Sequence, residues 1–455
     1  MSTSVVILAA GQGTRMRSGR PKVLHELAGV PLLQHVIRTA RQLQPSGIHV
    51  VYGYGGEQVP ETLAGEAVNW VFQEQQLGTG HALDQVMPAI ADAETLLVLY
   101  GDVPLIRAET LAPLVEKAGG GVLAVLTAVV DEPDGYGRIL RSSDGRLTGI
   151  VEHRDASPTE LEIREINTGF LAAPAQHLRA WLRRLDNDNA QGEYYLTDVI
   201  GLAAAGGTEV ETVNAVNEYE ILGVNDRVQL SRLERIYQRG EAERLMRSGV
   251  TIADPDRLDI RGELHAGNDC SVDVNVVFEG RVQLGERVRV GPNCVIRNVT
   301  AADDVEILAN CVIEDCSIGV AARVGPFTRI RPETELAERV HIGNFVEIKK
   351  SRIAAGSKVN HLSYIGDTRM GSDVNVGAGT IVCNYDGANK HQTEIGKDVF
   401  IGSDTQLIAP VKVGDGATIG AGSTITREVP PGELTLSRCP QQTRRGWKRP
   451  VKKGK

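Results

Sequence analysis

From Ser4 to about Asn225, short apolar runs alternate with helical patterns along the chain. Val5 to Leu8, Ile48 to Val51, Leu96 to Leu99 and Val122 to Val130 each have the length and composition of a buried strand. After the first run, "PLLQHVIRTARQL" sets Leu33, Val36, Ile37, Ala40 and Leu43 on one face of a helix. Strands alternating with helices predict a Rossmann-like α/β unit with a largely parallel sheet. Asp144-Gly145 between "GRIL" and "LTGIV" adds a hairpin, which would make the sheet mixed at one edge.

Between Asp226 and Gly249, "DRVQLSRLERIYQRGEAERLMRSG" is dense in charge and free of proline, and it predicts a long, mostly exposed connecting helix. After Val250 the period changes. Ile318, Val324, Ile330, Leu336, Ile342 and Ile348 recur every six residues, and Ile395, Ile401, Leu407, Val413, Ile419 and Ile425 repeat the pattern. That period predicts a left-handed parallel β-helix with one aliphatic side chain per face pointing down the axis. Glycine follows the apolar position in "IGNFVE", "IGKDVF", "IGSDTQ" and "VGDGAT", where a sharp corner is expected to favour a residue without Cβ. The rhythm breaks between Ala354 and Glu394, through "NHLSYIGDTRM" and "VCNYDGANKHQT", and those segments are expected to be inserted loops that carry function. The predicted division is therefore 1–225, a helical linker at 226–249, and 250–455.

Composition agrees with this layout. The 455 residues include 50 glycines and only 4% aromatics, which suits a repetitive coil better than a core of large rings. A net charge of −9 argues against nucleic acid or anionic lipid as a partner. No apolar run reaches the roughly 18 residues of a membrane span, and "MSTSVVILAAG" lacks a signal peptide's basic start and cleavage site, so a cytoplasmic protein is expected. Cys270, Cys294, Cys311, Cys316, Cys383 and Cys439 show no C-x-x-C spacing and read as reduced, mostly structural thiols.

The turn "LAAGQGTRM" after the first strand is the first candidate for chemistry. Met16 stands where the dinucleotide fingerprint needs its third glycine, and no G-x-x-x-x-G-K-[ST] occurs. What remains is a strand-end turn with Gly11, Gly13, Arg15 and, after Pro21, Lys22. Such a turn suits a triphosphate, and it equally suits an ordinary βα connection with solvated cations.

Together, "LAAGQGTRM" and "PKVLHELAG" resemble the signature of sugar-1-phosphate nucleotidylyltransferases, with Ala10 replacing the usual second glycine as in the amino-sugar branch. "QLGTGHAL", "LYGDVPL", "DGYGRI", "IVEHRDA", "EINTGF" and "GVND" follow in an order and spacing similar to the family of bifunctional N-acetylglucosamine-1-phosphate uridylyltransferases and glucosamine-1-phosphate acetyltransferases. The resemblance covers nearly the whole chain. It implies acetyl transfer from acetyl-CoA to glucosamine 1-phosphate in the β-helix. Uridylyl transfer from UTP to the product would follow in the front unit, supplying UDP-N-acetylglucosamine for peptidoglycan and lipopolysaccharide.

The resemblance also implies site residues. Asp102 and Asn225 would hold Mg²⁺, Lys22 and Arg15 would neutralise phosphates, and Leu8, Ala9, Ala10, Gly11, Gln73, Gly78, Thr79, Tyr100 and Gly101 would contact the nucleotide. Gly137, Glu152 and Asn167 occupy the family's sugar positions, and Gln12 stands where many relatives carry Lys. In the rear unit His361 would be the general base that frees the amine. Arg331, Lys349, Tyr364 and Asn375 match positions for the amino-sugar phosphate, the two cations facing outward because inward charge would be intolerable. Ala378, Asn384, Tyr385, Ser403, Ala421 and Arg438 match acetyl-CoA positions, and the basic tail with Trp447 is either a further CoA contact or a solvated terminus. The family also implies a homotrimer acting on small molecules, without nucleic acid or membrane insertion. Two other readings remain open: a nucleotidylyltransferase whose β-helix only regulates or oligomerises, and a non-catalytic nucleotide-sugar sensor.

Overall fold

The computed structural model describes residues 2–450 and 452, and the chain divides into two compact units, Met1–Tyr237 and Gln238–Lys455. In the first, β1 (Thr3–Leu8), β2 (Gly47–Tyr52), β3 (Asn69–Phe72), β4 (Thr95–Tyr100), β5 (Leu123–Val129), β6 (Arg138–Arg141), β7 (Leu147–Val151), β8 (Glu165–Pro174) and β9 (Val210–Asn214) form one sheet. Its main path is β9-β5-β8-β4-β1-β2-β3, with β6 joined to β8 and β7.

Successive side chains of a strand face opposite ways, and both faces of β1 are covered. Val5 and Ile7 pack with Val36 and Ile37 of α1 (Leu32–Gln42), whereas Val6 and Leu8 pack with Leu83 and Val86 of α2 (Thr79–Val86). That double coverage explains why β1 reads as an unbroken apolar run rather than an alternation. The hairpin at Asp144-Gly145 forms, with β6 antiparallel to β7. The mixing is deeper than the sequence predicts, however, because β8 runs antiparallel between β4 and β5 in the interior of the sheet. A strand buried on both faces carries no mark of its direction.

Helix α3 (Arg227–Arg247) spans the predicted connecting segment, and the division between the units falls inside it. Leu233 is buried in the first unit, and Ala242 and Leu245 in the second. Among the described residues no helix is long and apolar enough to cross a membrane.

The second unit is a left-handed parallel β-helix whose strands stack coil upon coil with entirely parallel pairing. Ile318, Val324, Ile330, Leu336, Ile342 and Ile348, and then Ile395 through Ile425 at the same period, are all buried in one continuous core. Cys270, Cys294 and Cys311 belong to that core, and all six cysteines are free thiols. Each aliphatic side chain so buried contributes roughly 1.5–3 kcal/mol of transfer free energy.

Two expectations about this unit are corrected. "NHLSYIGDTRM" is not an inserted loop: Val359, Ile365 and Met370 hold their buried places, and strands Lys358–His361, Tyr364–Gly366 and Thr368–Met370 continue the coil. Within the stretch from Ala354 to Glu394, the segment between Cys383 and Thr393 is the one that leaves the coil. Most glycines after the apolar positions, such as Gly319, Gly343, Gly396 and Gly402, answer to close approach rather than to turn geometry, whereas Gly325 after Val324 has φ +107° and answers to the turn as well. A Cβ on Gly319 would lie 2.6 Å from the Ala337 carbonyl carbon, and one on Gly402 would lie 2.4 Å from the Ala421 nitrogen of the next coil. The left-handed corner positions fall to residues such as Asn293, Asn310, Asp373, Asp398 and Asp404, whose short polar side chains tolerate that conformation.

Candidate functional site

The parallel neighbours β1 and β4 end together, Leu8 opposite Tyr100, and the Gly101 amide donates to the Leu8 carbonyl at 2.9 Å. The two turns that follow therefore leave the carboxyl edge of the sheet side by side, where α/β folds bind ligands. A cavity of about 440 Å³ opens there. Leu8, Ala9, Ala10, Gly11, Lys22, Gln73, Gly78, Thr79, Tyr100 and Asp102 all line it, so most of the expected nucleotide residues come together. Gly101 packs just behind them, against Ala9.

The glycines of the opening turn have separate tasks. A Cβ on Gly11 would meet nothing within 4 Å, so this residue leaves space at the cavity wall. Gly13 has φ +61°, and a Cβ there would strike the Lys22 Cβ at 2.6 Å, so its absence lets the lysine stem lie against the turn. The amides of Gly11, Gln12 and Gly13 have no protein acceptor among the described residues, the arrangement an anion requires.

Lys22 Nζ forms an ion pair with Asp102 and donates to Asn225 Oδ1 at 3.3 Å. Asn225 is held beside Asp102 because the Val224 amide donates to the Asp102 carbonyl at 2.9 Å. Two hard oxygens, from Asp102 and Asn225, thus converge on one cation, as an Mg²⁺ site with few protein ligands demands. Among the described residues no cluster of three or more His, Cys, Asp or Glu is placed to hold a metal, so phosphates and water would complete such a shell. Arg15 stands exposed on the turn Thr14–Met16 and does not line the cavity.

Gly137, Glu152 and Asn167 meet at one place beyond the cavity. The Asn167 amide donates to the Gly137 carbonyl at 2.9 Å, and a Cβ on Gly137 would lie 3.4 Å from the Glu152 carboxylate. Thr197 donates to Glu152 Oε1 at 3.0 Å. Burial raises the Glu152 carboxyl above the usual carboxylate range, Thr197 partly offsetting this and Asp155 adding to it. The pairing of β8 with β5 slips between Asn167 and Leu171, and at Gly169 a Cβ would strike the Tyr100 ring at 2.5 Å. Burial first, then Glu152 and Asp102, raise the Tyr100 phenol above its ordinary range.

Sequence reasoning missed the segment that closes this wall. Gln76 and Glu193 line the cavity, the Gly80 amide donates to the Tyr194 carbonyl at 2.8 Å, and the Leu196 amide donates to Thr79 Oγ1 at 3.0 Å. The available signal was "EYYLTD", two adjacent tyrosines beside acids in a chain poor in aromatics.

In the second unit, Arg331, Lys349 and Tyr364 come from three successive coils, with Lys349 and Tyr364 on adjacent strands of one face. Both cations face outward, and Arg331 Nη1 pairs with Glu347 Oε1 at 2.8 Å. Lys390, on the inserted loop, lies beside Lys349 and, more than burial does, lowers its pKa. With Arg331 nearby, these cations make a positively charged surface suited to an anion. Sequence reasoning did not single out Lys390.

Asn384 donates to the buried Asp367 carboxylate and, at 3.4 Å, to the Tyr364 hydroxyl, which fixes the root of the loop. The loop is closed by a bridge between Tyr385 and Lys390 and by Asp386, whose carboxyl is held low by the Asn389 amide, His391 and the Ala388 amide. Tyr385 is exposed on it. His361 ends the strand Lys358–His361, and Asn375 stands on the same face one coil further on. Ala378, Ser403 and Ala421 climb one corner: the Asp404 amide donates to the Ala378 carbonyl and the Gly422 amide to the Ser403 carbonyl, both at 2.8 Å. Arg438 Nη1 extends the column with a 2.6 Å bond to the Ala421 carbonyl. An exposed ladder of this kind suits an elongated ligand.

The family described as MobA-like NTP transferase domain matches residues 5–193, and that described as bacterial transferase hexapeptide (six repeats) matches residues 392–427. The chain is 57% identical over 447 residues to the bifunctional protein GlmU of Alkalilimnicola ehrlichii, covering 98% of this chain and 96% of that one. It is 56% identical to the bifunctional protein GlmU of Marinobacter nauticus, over 98% of this chain and 99% of that one. It is also 56% identical to that of Ralstonia nicotianae, over 99% of each. With this identity sustained from end to end, and with a nucleotidyltransferase unit followed by a hexapeptide β-helix, the chain belongs to the bifunctional GlmU family.

Proposed function

We propose that the chain catalyses two consecutive reactions in the synthesis of UDP-N-acetylglucosamine, the precursor of bacterial envelope polymers. The observation that carries this reading is that two separate clusters of cationic and polar side chains, around Lys22 and around Lys349, occur in one chain of a family named for two activities. We assign the first residues, 1–225, to uridylyl transfer, 226–249 to the connecting helix, and 250–455 to acetyl transfer.

In the rear unit the amine of glucosamine 1-phosphate attacks the thioester carbon of acetyl-CoA, the C–S bond breaks, and one amine proton passes to His361. Arg331 and Lys349 hold the sugar phosphate by charge-assisted bonds, with Tyr364 on the strand next to Lys349 and Asn375 contributing from the face that carries His361. Asn384, Tyr385 and the column Ala378, Ser403, Ala421 and Arg438 bind the coenzyme. A homotrimer is supported by an exposed apolar column of stacked Phe327 and Phe345 with Leu362, a surface that a second copy would cover.

In the front unit a phosphate oxygen of N-acetylglucosamine 1-phosphate attacks the α-phosphorus of UTP, and pyrophosphate leaves. Repulsion between anions is the obstacle, so the free amides of the opening turn and Lys22 gather the phosphates, with Arg15 assisting from the turn. Asp102 and Asn225 would hold Mg²⁺, which supplies positive charge to the phosphate oxygens when bound. Glu152, Gly137 and Asn167 orient the sugar. This reading places both reactions in the cytoplasm, among small-molecule substrates.

The test is to measure coenzyme A release with glucosamine 1-phosphate, and pyrophosphate release with UTP and N-acetylglucosamine 1-phosphate, on one purified chain. His361→Ala is expected to abolish the first alone and Asp102→Ala the second alone. A chain that performs neither reaction, or variants that each lose both, would overturn the reading.

A further inference from the structure

His361 and Asn344 are partners in strand register on adjacent coils, and His361 Nδ1 lies 3.0 Å from Asn344 Oδ1. The backbone on both sides is fixed. The Leu362 amide donates to the Asn344 carbonyl at 3.1 Å, and the His361 carbonyl accepts from Ser363 Oγ at 2.8 Å and from the Gly379 amide at 3.3 Å. The ring is exposed, so packing alone does not choose between its two neutral forms.

An amide oxygen can only accept, so the ring nitrogen facing it must carry the proton. In neutral imidazole the other nitrogen then holds the lone pair. We infer that Asn344 is a positioning residue for acetyl transfer: it fixes His361 as the Nδ1-protonated tautomer and leaves Nε2 to take the amine proton. The inference rests on the proposed role of His361 as base.

The atoms balance through that nitrogen. The amine lone pair forms the C–N bond, the C–S bond breaks, the amine proton moves to Nε2, and the imidazolium returns it to the departing thiolate. Nδ1 keeps its own proton throughout, so the Asn344 bond persists from free base to imidazolium. Asn344 adds no charge, unlike a carboxylate at that place. It acts by orientation, holding the ring plane and the protonation pattern.

The test uses the full chain labelled with ¹⁵N-histidine, with the His361 signals identified by their loss in His361→Gln. At a pH where the ring is neutral, Nδ1 is expected to show the shift of a protonated nitrogen and Nε2 that of a bare one. In Asn344→Leu the two shifts are expected to move towards each other or exchange, and kcat for acetyl transfer is expected to fall roughly 10–100-fold. The KM for acetyl-CoA should stay within about 3-fold, because the residue is not one of those assigned to the coenzyme. Asn344→Asp, which keeps an acceptor, should retain the wild-type tautomer. Pyrophosphate release and the melting of the second unit report whether each variant is folded.

A wild-type ring protonated on Nε2, or shifts unchanged in Asn344→Leu, overturns the inference. If the tautomer is as stated but His361→Gln still transfers acetyl groups, the role of His361 as base fails instead, so the two failures are told apart.

Discussion

Lys22 and Asp102, 80 residues apart in the chain, form an ion pair at the carboxyl edge of the sheet, with the Asn225 amide oxygen on the same ammonium. Both partners are largely buried, so the lysine is the cation nearest to where phosphates would arrive. Lys22→Ala is expected to lower kcat/KM for pyrophosphate release by at least about 100-fold, with coenzyme A release unchanged. Lys22→Arg should rescue little, because the lysine stem lies in the space that Gly13 leaves for it.

Among the described residues, Asp102 and Asn225 are the side-chain oxygens that meet at the Lys22 ammonium, and a divalent ion held by so few protein ligands would be exchangeable. Chelation with EDTA is expected to stop pyrophosphate release, and added Mg²⁺ to restore it, while acetyl transfer in the same sample continues. Asp102→Asn should raise the Mg²⁺ concentration needed for half-maximal rate. A variant with the wild-type Mg²⁺ dependence would remove Asp102 from the ion's shell.

Glu152 gives a pH dependence of known sign. Burial raises its carboxyl above the usual range, so over the interval between the unfolded and folded values the native chain binds the proton more tightly. The stability this contributes is present at low pH and is lost as pH rises through that interval. Glu152→Gln is therefore expected to raise the melting temperature of the first unit at neutral pH, by roughly 2 °C. The same change should raise the KM for the sugar phosphate about 10-fold, since a charged acceptor is lost. In the wild type that KM should begin to climb on acidification at a higher pH than an ordinary carboxylate would give.

Gly319 tests the close approach of successive coils. A Cβ there would sit 2.6 Å from backbone of the next coil, which cannot move without parting the strands. Gly319→Ala is expected to cost about 1–3 kcal/mol, read as a lower melting temperature of the second unit. Gly240→Ala on α3, where a Cβ meets nothing, should not destabilise. Equal stability of the wild type and Gly319→Ala would refute the packing explanation.

The amino-acid sequence determined whatever depends on local period. A six-residue repeat of Ile, Leu and Val can be buried only as a coil, and every in-register side chain from Ile318 to Ile348 is buried. The turn after β1 was equally legible, because Gly11, Gly13 and Lys22 lie within a dozen residues. Tertiary structure decided what joins distant segments. It set β8 antiparallel inside the sheet, brought Glu193 and Thr197 to the cavity and to Glu152, and put Lys390 beside Lys349. It also replaced turn geometry with coil-to-coil contact as the reason for glycine, and returned "NHLSYIGDTRM" to the regular coil. The physical cause is the same in each case: side-chain periodicity encodes which face is buried, whereas strand direction, and the meeting of charges from separate coils or loops, depend on packing over distances that no local pattern records.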